Sequence, residues 1–178
     1  MTEVVVADAG PLIAFGRIGR LHLFRDVLGT ILVPEAVAEE CLREPLRPGA
    51  AAIRQAFREG LLIRKRARRS HLYEEILSVL GEGEAAAIAL AHSQGVPVLM
   101  DEKNGRRIAR GLGLAVIGTG GVLIRAKRRK LIRVARPVLE DLQKEGYRLS
   151  GSLMAEILAR CGESRRRRPS GRRRASPA

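Results

Sequence analysis

A chain of 178 residues with 46% hydrophobic content and a net charge of +14 is long enough for one domain with a real core and too short for two. With no Trp, three Phe and two Tyr, the core has to be aliphatic, and aromatic stacking of single-stranded bases is disfavoured. Cys41 and Cys161 form no C-x-x-C pair and suggest neither a zinc knuckle nor a disulfide framework, Glu3 and Asp8 interrupt the apolar stretch a signal peptide needs, and no segment approaches a membrane span, so a cytoplasmic protein is expected.

Val4–Ala7 reads as a buried strand, and Pro11 suits the first turn of the helix after it, where its missing N–H costs nothing. Residues 31–33 form a second short strand. Pro34 opens a helix to about Arg43, and Pro48 opens another to about Glu59, ended by Gly60. Residues 61–63 give a third strand. From Glu82 to Ser93 the alanine-rich pattern is strongly helical and closes at Gly95. A strand at 96–100, a helix at 103–110, a strand at 114–117, and helices at about 121–128, 137–144 and 151–160 complete the series. Strands separated by helical stretches predict an α/β domain with a mostly parallel sheet covered on both faces. The glycines at 111, 113, 118, 120 and 121 fit neither a dinucleotide fingerprint nor a P-loop and read as turns. His22, His71 and His92 have no motif around them and read as surface positions.

Charge is unevenly placed. Residues 162–178 carry seven Arg against one Glu, which leaves +8 of the +14 on residues 1–161. With no apolar residue larger than Ala, this Arg-rich tail cannot offset its chain entropy and is expected to be disordered, adding salt-dependent affinity for phosphates. Basic clusters at 64–69 and 127–130 also suit a polyanion, although each alone reads equally well as a solvated surface.

Four acids stand out against this basic background. Asp8 and Asp101 each follow an apolar strand, and the carboxyl ends of parallel strands form the crevice where ligands bind. Glu40 shares a helical face with Val37, whereas Glu39 is turned away by about 100°. Glu84 continues the stripe of Ala87, Ile88 and Ala91. Taken singly, Asp8 also reads as a helix cap and Glu84 as an early-turn acid favoured by the helix dipole. Taken together, carboxylates that close repel one another unless a cation joins them, which asks for a hard divalent metal.

The segments Val5–Ile13, Val33-Pro34-x-x-Val37-x-x-Glu40, Gly83-Glu84-x-x-Ala87-Ile88-x-Leu90-Ala91, Leu99–Lys103 with Arg106, and Ile117–Leu123 resemble PIN domains, specifically the DUF3368-type branch related to VapC-like toxins. The resemblance covers about residues 3–161. It implies a three-layer α/β/α fold and a Mg²⁺- or Mn²⁺-dependent ribonuclease, often paired with an antitoxin. Asp8, Glu40, Glu84 and Asp101 would be its catalytic and metal-binding acids, and Glu102 could replace or assist Asp101. Lys103, Arg106 and Arg107 are the candidates for holding flanking RNA phosphates. The chain departs from the pattern at Ala9, where many PIN domains have Ser or Thr, and Thr119 is a candidate for supplying that hydroxyl from another loop. Mg²⁺ keeps several waters, so one or two direct carboxylates suffice while the others hold those waters. An RNA- or partner-binding module without turnover and a flavodoxin-like ligand-binding domain stay open beside the ribonuclease, as does a homodimer.

Overall fold

The computed structural model describes residues 3–163. Five strands, β1 (Val4–Ala7), β2 (Thr30–Pro34), β3 (Leu62–Lys65), β4 (Val98–Leu99) and β5 (Val116–Ile117), form one parallel sheet in the order β3-β2-β1-β4-β5. Ten helices complete a three-layer α/β/α domain: α1 (Ala9–Arg17), α2 (His22–Leu28), α3 (Glu35–Leu42), α4 (Ala50–Arg58), α5 (His71–Leu77), α6 (Glu82–Gln94), α7 (Lys103–Gly111), α8 (Thr119–Arg128), α9 (Arg136–Lys144) and α10 (Gly151–Arg160). The sheet order runs outward one way from β1 to β3 and the other way through β4 to β5, so the β1/β4 boundary is the topological switch point, where such sheets open a ligand crevice.

The expected parallel α/β architecture is the observed one, and the departures are local. β4 and β5 have two residues each, because Val98 and Met100 N–H groups donate to Ala115 and Ile117 and the ladder stops there. Two short helices fall where no element was expected. α2 buries Leu23, Phe24, Val27 and Leu28, and α5 buries Tyr73 and Ile76 behind a Ser70 cap that accepts from the Tyr73 N–H at 3.2 Å. Gly120 and Gly121 lie inside α8 rather than in a turn; a β-carbon at Gly120 would stand 2.6 Å from Ile157 Cδ1, so α10 packs where a side chain would be.

The core is aliphatic apart from Tyr73 and the pair Phe15 and Phe24, which are fully buried with ring centroids 4.6 Å apart in a tilted arrangement. Phe15→Ala is expected to cost about 3–5 kcal/mol, since it removes both the ring and its partner's contact. A urea midpoint within about 1 kcal/mol of wild type would show that the pair is peripheral.

The basic tail falls, from residue 164 onward, outside the described residues. Gly162 and Glu163, which the sequence reading put in the tail, are part of the ordered domain edge. Glu163 accepts from Ala135 N at 2.7 Å and Arg136 N at 3.0 Å and pairs with Lys127 at 2.9 Å, tying the end of α10 to the start of α9. No helix among the described residues is long and apolar enough to cross a membrane.

Candidate metal centre

Asp8 leaves β1 at the switch point. Its backbone is extended, and its N–H donates to Leu99 O at 2.9 Å, which fixes the position across the β1/β4 boundary. Although it precedes α1, its side chain makes no capping hydrogen bond there. The residue is only 6% exposed. Burial pushes its pKa up to about 7 from the ordinary 3.8, with the charges of Glu84 and Glu40 adding to the rise and the Ala9 and Gly10 amides opposing it. A buried acid that feels the charges of two others, with only the two amides beside it in opposition, is available to a cation.

Glu40 comes from α3. Val37 is buried beside it, Glu40 is half-buried, and Glu39 is exposed. A β-carbon on Gly83 would meet Glu40 Oε2 at 2.7 Å, so glycine is what lets the α6 backbone come up to this carboxylate. Cys41, next in the chain, is buried; desolvation, then the charges of Glu40 and Asp8, push its thiol up to about 12 and keep it protonated.

Glu84 has two roles at once. Its Oε2 accepts from Gly81 N at 3.2 Å, a capping bond at the start of α6 that the dipole reading of this early-turn acid did not include. Its Oε1 is buried and has no partner. A β-carbon on Gly105 of α7 would lie 3.2 Å from that oxygen and 2.9 Å from Met100 Cε, so a second glycine keeps the space around it clear. The Glu84 pKa is raised, first by burial and then by Glu102 and Glu40, against the Gly81 hydrogen bond. An orphaned buried carboxylate oxygen costs free energy that a bound cation would recover.

The structure separates the two neighbours at the end of β4. Glu102 turns toward Glu84 while capping α7, accepting from Asn104 N and from Gly105 N at 3.0 Å. Both oxygens of Asp101 are hydrogen-bonded by one residue: Thr119 N donates to Oδ1 at 2.8 Å and Thr119 Oγ1 to Oδ2 at 2.7 Å. Thr119 is fully buried, so its hydroxyl serves Asp101 and not Asp8. Tyr147 stands beside them, its phenol pKa raised first by burial and then by the Asp101 charge. Asp8, Glu40, Glu84 and Glu102 therefore act on one another's charge, and Asp101 has both its oxygens hydrogen-bonded by Thr119.

Among the described residues no three His, Cys, Asp or Glu side chains are gathered closely enough to coordinate one ion directly. The acids present nevertheless fit a hydrated hard cation. Hard oxygen donors, two raised carboxyls and one unpartnered buried oxygen can hold the waters that Mg²⁺ keeps. Of the expected phosphate contacts, Lys103 and Arg107 are exposed on α7, and Arg106 is half-buried, reaching Met100 O at 3.4 Å and lying against Gly118. Part of the two basic clusters has structural work. Lys127 pairs with Glu163, Arg129 donates to Asp26 O at 3.2 Å, Arg69 pairs with Glu82 at 3.5 Å, and Arg64 lies over Phe57 at 5.0 Å. Gly83, Gly105 and Tyr147 were missed by sequence reasoning; a glycine inside the helical pattern at 105 was the available signal for close approach.

The family model DUF3368, a PIN domain, matches residues 4–163. No curated protein matches the chain. Among solved structures, a domain of a functionally unknown protein from Methanocaldococcus jannaschii DSM 2661 is similar at 18% identity with a TM-score of 0.44, over 65% of this chain and 90% of that one.

Proposed function

The chain belongs to the PIN-domain family, and from that premise we propose that it is a divalent-metal-dependent endoribonuclease that hydrolyses RNA phosphodiester bonds. PIN domains are nucleases as a class; RNA as the substrate, Mg²⁺ or Mn²⁺ as the cofactor and a toxin role restrained by a cognate antitoxin are part of the proposal. The observation that carries it is the buried Asp8 at the switch point, within electrostatic reach of Glu40 and Glu84, with Glu84 Oε1 left unpartnered.

Asp8, Glu84 and Glu40 would hold the ion, directly or through its waters, with Glu102 assisting from the α7 cap. When bound, the ion supplies Lewis-acid charge to the phosphoryl oxygens. A carboxylate of this group that holds the ion only through its water is placed to take a proton from that water. Lys103 and Arg107 offer free cationic ends to the flanking phosphates.

A second reading, RNA or partner binding without turnover, is favoured by one observation: Asp101 has both oxygens occupied by Thr119, and Ala9 lacks a hydroxyl. The two readings separate in one experiment. Wild-type protein incubated with a mixed RNA pool and Mg²⁺ or Mn²⁺ is expected to cleave it, EDTA to stop it, and Asp8→Asn to reduce the rate by roughly a hundredfold or more, the scale of losing one electrostatic contributor in an active site. Metal-independent cleavage, or equal rates for wild type and Asp8→Asn, would overturn the assignment. Binding without any cleavage would support the second reading.

A further inference from the structure

Beside Asp101, a cleft of about 370 Å³ opens between β5, α7, α8 and α10. Most of its lining is polar, but Val116, Ile124 and Ile157 contribute an apolar patch, and Leu153, 41% exposed, lines it as well. Its rim is cationic: Arg106, Arg110, Arg125 and Arg160 face it, against Asp101 and Glu156. Four arginines against these two acids leave the rim net positive, although Glu156 pairs with Arg160 at 3.7 Å and Arg125 with Glu3 at 3.5 Å on the surface. Exposed pairs of this kind contribute little and exchange readily. Among the described residues, Arg106 and Arg110 form no salt bridge, so two guanidinium groups border the cleft without a paired carboxylate.

The volume lies at the small end of the range for pockets that take small molecules. An apolar patch with a planar cationic fork at its edge matches one unpaired nucleotide: the base lies over the aliphatic side chains, and the phosphate meets the arginines bidentately. The position fits as well. Asp8 ends β1 and Gly118 follows β5, with β4 alone between them, so the two points are two strand spacings apart, roughly 10 Å. An extended strand whose scissile phosphate lies at Asp8 reaches the cleft with about one or two further nucleotides.

Resting on the ribonuclease reading, we infer that this cleft is a nucleotide subsite of the RNA substrate, in which Arg110 and Arg106 hold a phosphate and Leu153, with the apolar patch, holds the base. Such a subsite gives the enzyme a way to prefer one nucleotide beside the cleaved bond, through the fit of the base to a fixed apolar patch.

The test uses full-length Asp8→Asn protein in EDTA, so that RNA binding is read without cleavage, with a short fluorescent single-stranded RNA titrated at several salt concentrations. Arg110→Gln is expected to weaken binding by roughly tenfold, the loss of one charge-assisted contact, and to reduce the slope of log affinity against log salt by about 0.7. Leu153→Ser, at an exposed position that tolerates truncation, is expected to weaken binding while leaving the slope unchanged, which separates the base contact from the phosphate contact. Arg58→Gln, at the exposed end of α4, is the control. Equal effects of Arg110→Gln and Arg58→Gln, or no effect of Leu153→Ser, would overturn the subsite. Two further arms test what the cleft takes. Arg110-dependent stabilisation by 5′-mononucleotides or inorganic phosphate, with RNA affinity unmoved, would assign it to a free phosphate ligand. Tighter Arg110-dependent binding of poly-glutamate than of RNA would assign it to an acidic protein. Either would overturn the inference. Wild type that fails to cleave while Arg110-dependent RNA binding persists would fell the ribonuclease reading alone, and cleavage with Arg110-independent binding would fell this inference alone.

Discussion

In the absence of divalent ions, Asp8→Asn is expected to stabilise the protein at about pH 8, by at most roughly 4 kcal/mol. The folded-state pKa of Asp8 is raised to about 7 from 3.8, chiefly by burial. Between those values the folded protein keeps a proton that the unfolded chain has released, so stability is greatest below the lower value, falls as pH rises through the window, and levels off above about 7. Some three pKa units at 1.36 kcal/mol each set the upper bound. The asparagine amide, which must itself find partners in a buried site, takes back part of the gain. Glu84 is shifted in the same direction, so the variant retains a shallower decline. Divalent metal reverses the ranking. Mn²⁺ at about one hundred times its Kd contributes roughly 2.7 kcal/mol to a protein that binds it only when folded, and Asp8→Asn is expected to lose most of that. Urea unfolding at about pH 5 and about pH 8, with EDTA and with Mn²⁺, reads all of these effects. Parallel pH profiles for wild type and variant in EDTA would remove Asp8 from the role of buried acid, and equal Mn²⁺ gains would remove it from the metal centre.

Gly49→Ala is expected to be the most damaging small substitution, at about 2–5 kcal/mol. Gly49 precedes α4 with φ of +90°, a left-handed conformation that costs an L-residue about 1–2 kcal/mol. A β-carbon there would also stand 2.8 Å from Arg17 N and 3.0 Å from Gly16 C, both backbone atoms that cannot swing aside, and overpacking of that kind adds about 1–3 kcal/mol. Gly16 answers from the opposite side: its own β-carbon would lie 3.1 Å from Gly49 O and from Ile53 Cγ1. Gly60 supplies the comparison. Its φ is +68°, but nothing lies within 4 Å of the added carbon, so Gly60→Ala should show the conformational cost alone. The difference between the two unfolding free energies measures the contact between α1 and α4. No difference would mean that the helices can part at no cost, and with them the segment that follows Asp8.

The sheet was legible in the sequence because its strands are short apolar runs bounded by Pro, Gly and Asp, and the sites after Val4–Ala7 and Leu99 follow from the parallel topology alone. Glu40 was distinguishable from Glu39 through the burial of Val37. What could not be read was sidedness at the end of β4. That strand has two residues, so which of Asp101 and Glu102 faces the acids depends on where the chain leaves the ladder, and the Thr119 contact comes from 18 residues downstream. α2 and α5 escaped because seven-residue helices carry little periodic signal. Gly120 was misread because propensity assigns glycine to turns, and here the packing of Ile157 against it overrides that.

The outer strand β3 puts part of the positive charge in a different light. It ends the sheet on one side, and beyond Leu62 its residues are exposed, including Ile63 at 43%. An open strand edge with an apolar side chain invites a second copy to pair with it, and lysine and arginine along an edge are a common defence. Arg64 and Lys65 occupy that edge and Arg66 follows them. Part of the 64–69 cluster can thus be explained as a guard against self-association of sheets, independently of any nucleic acid, and a partner that extends this sheet would have to bring acidic residues to do so.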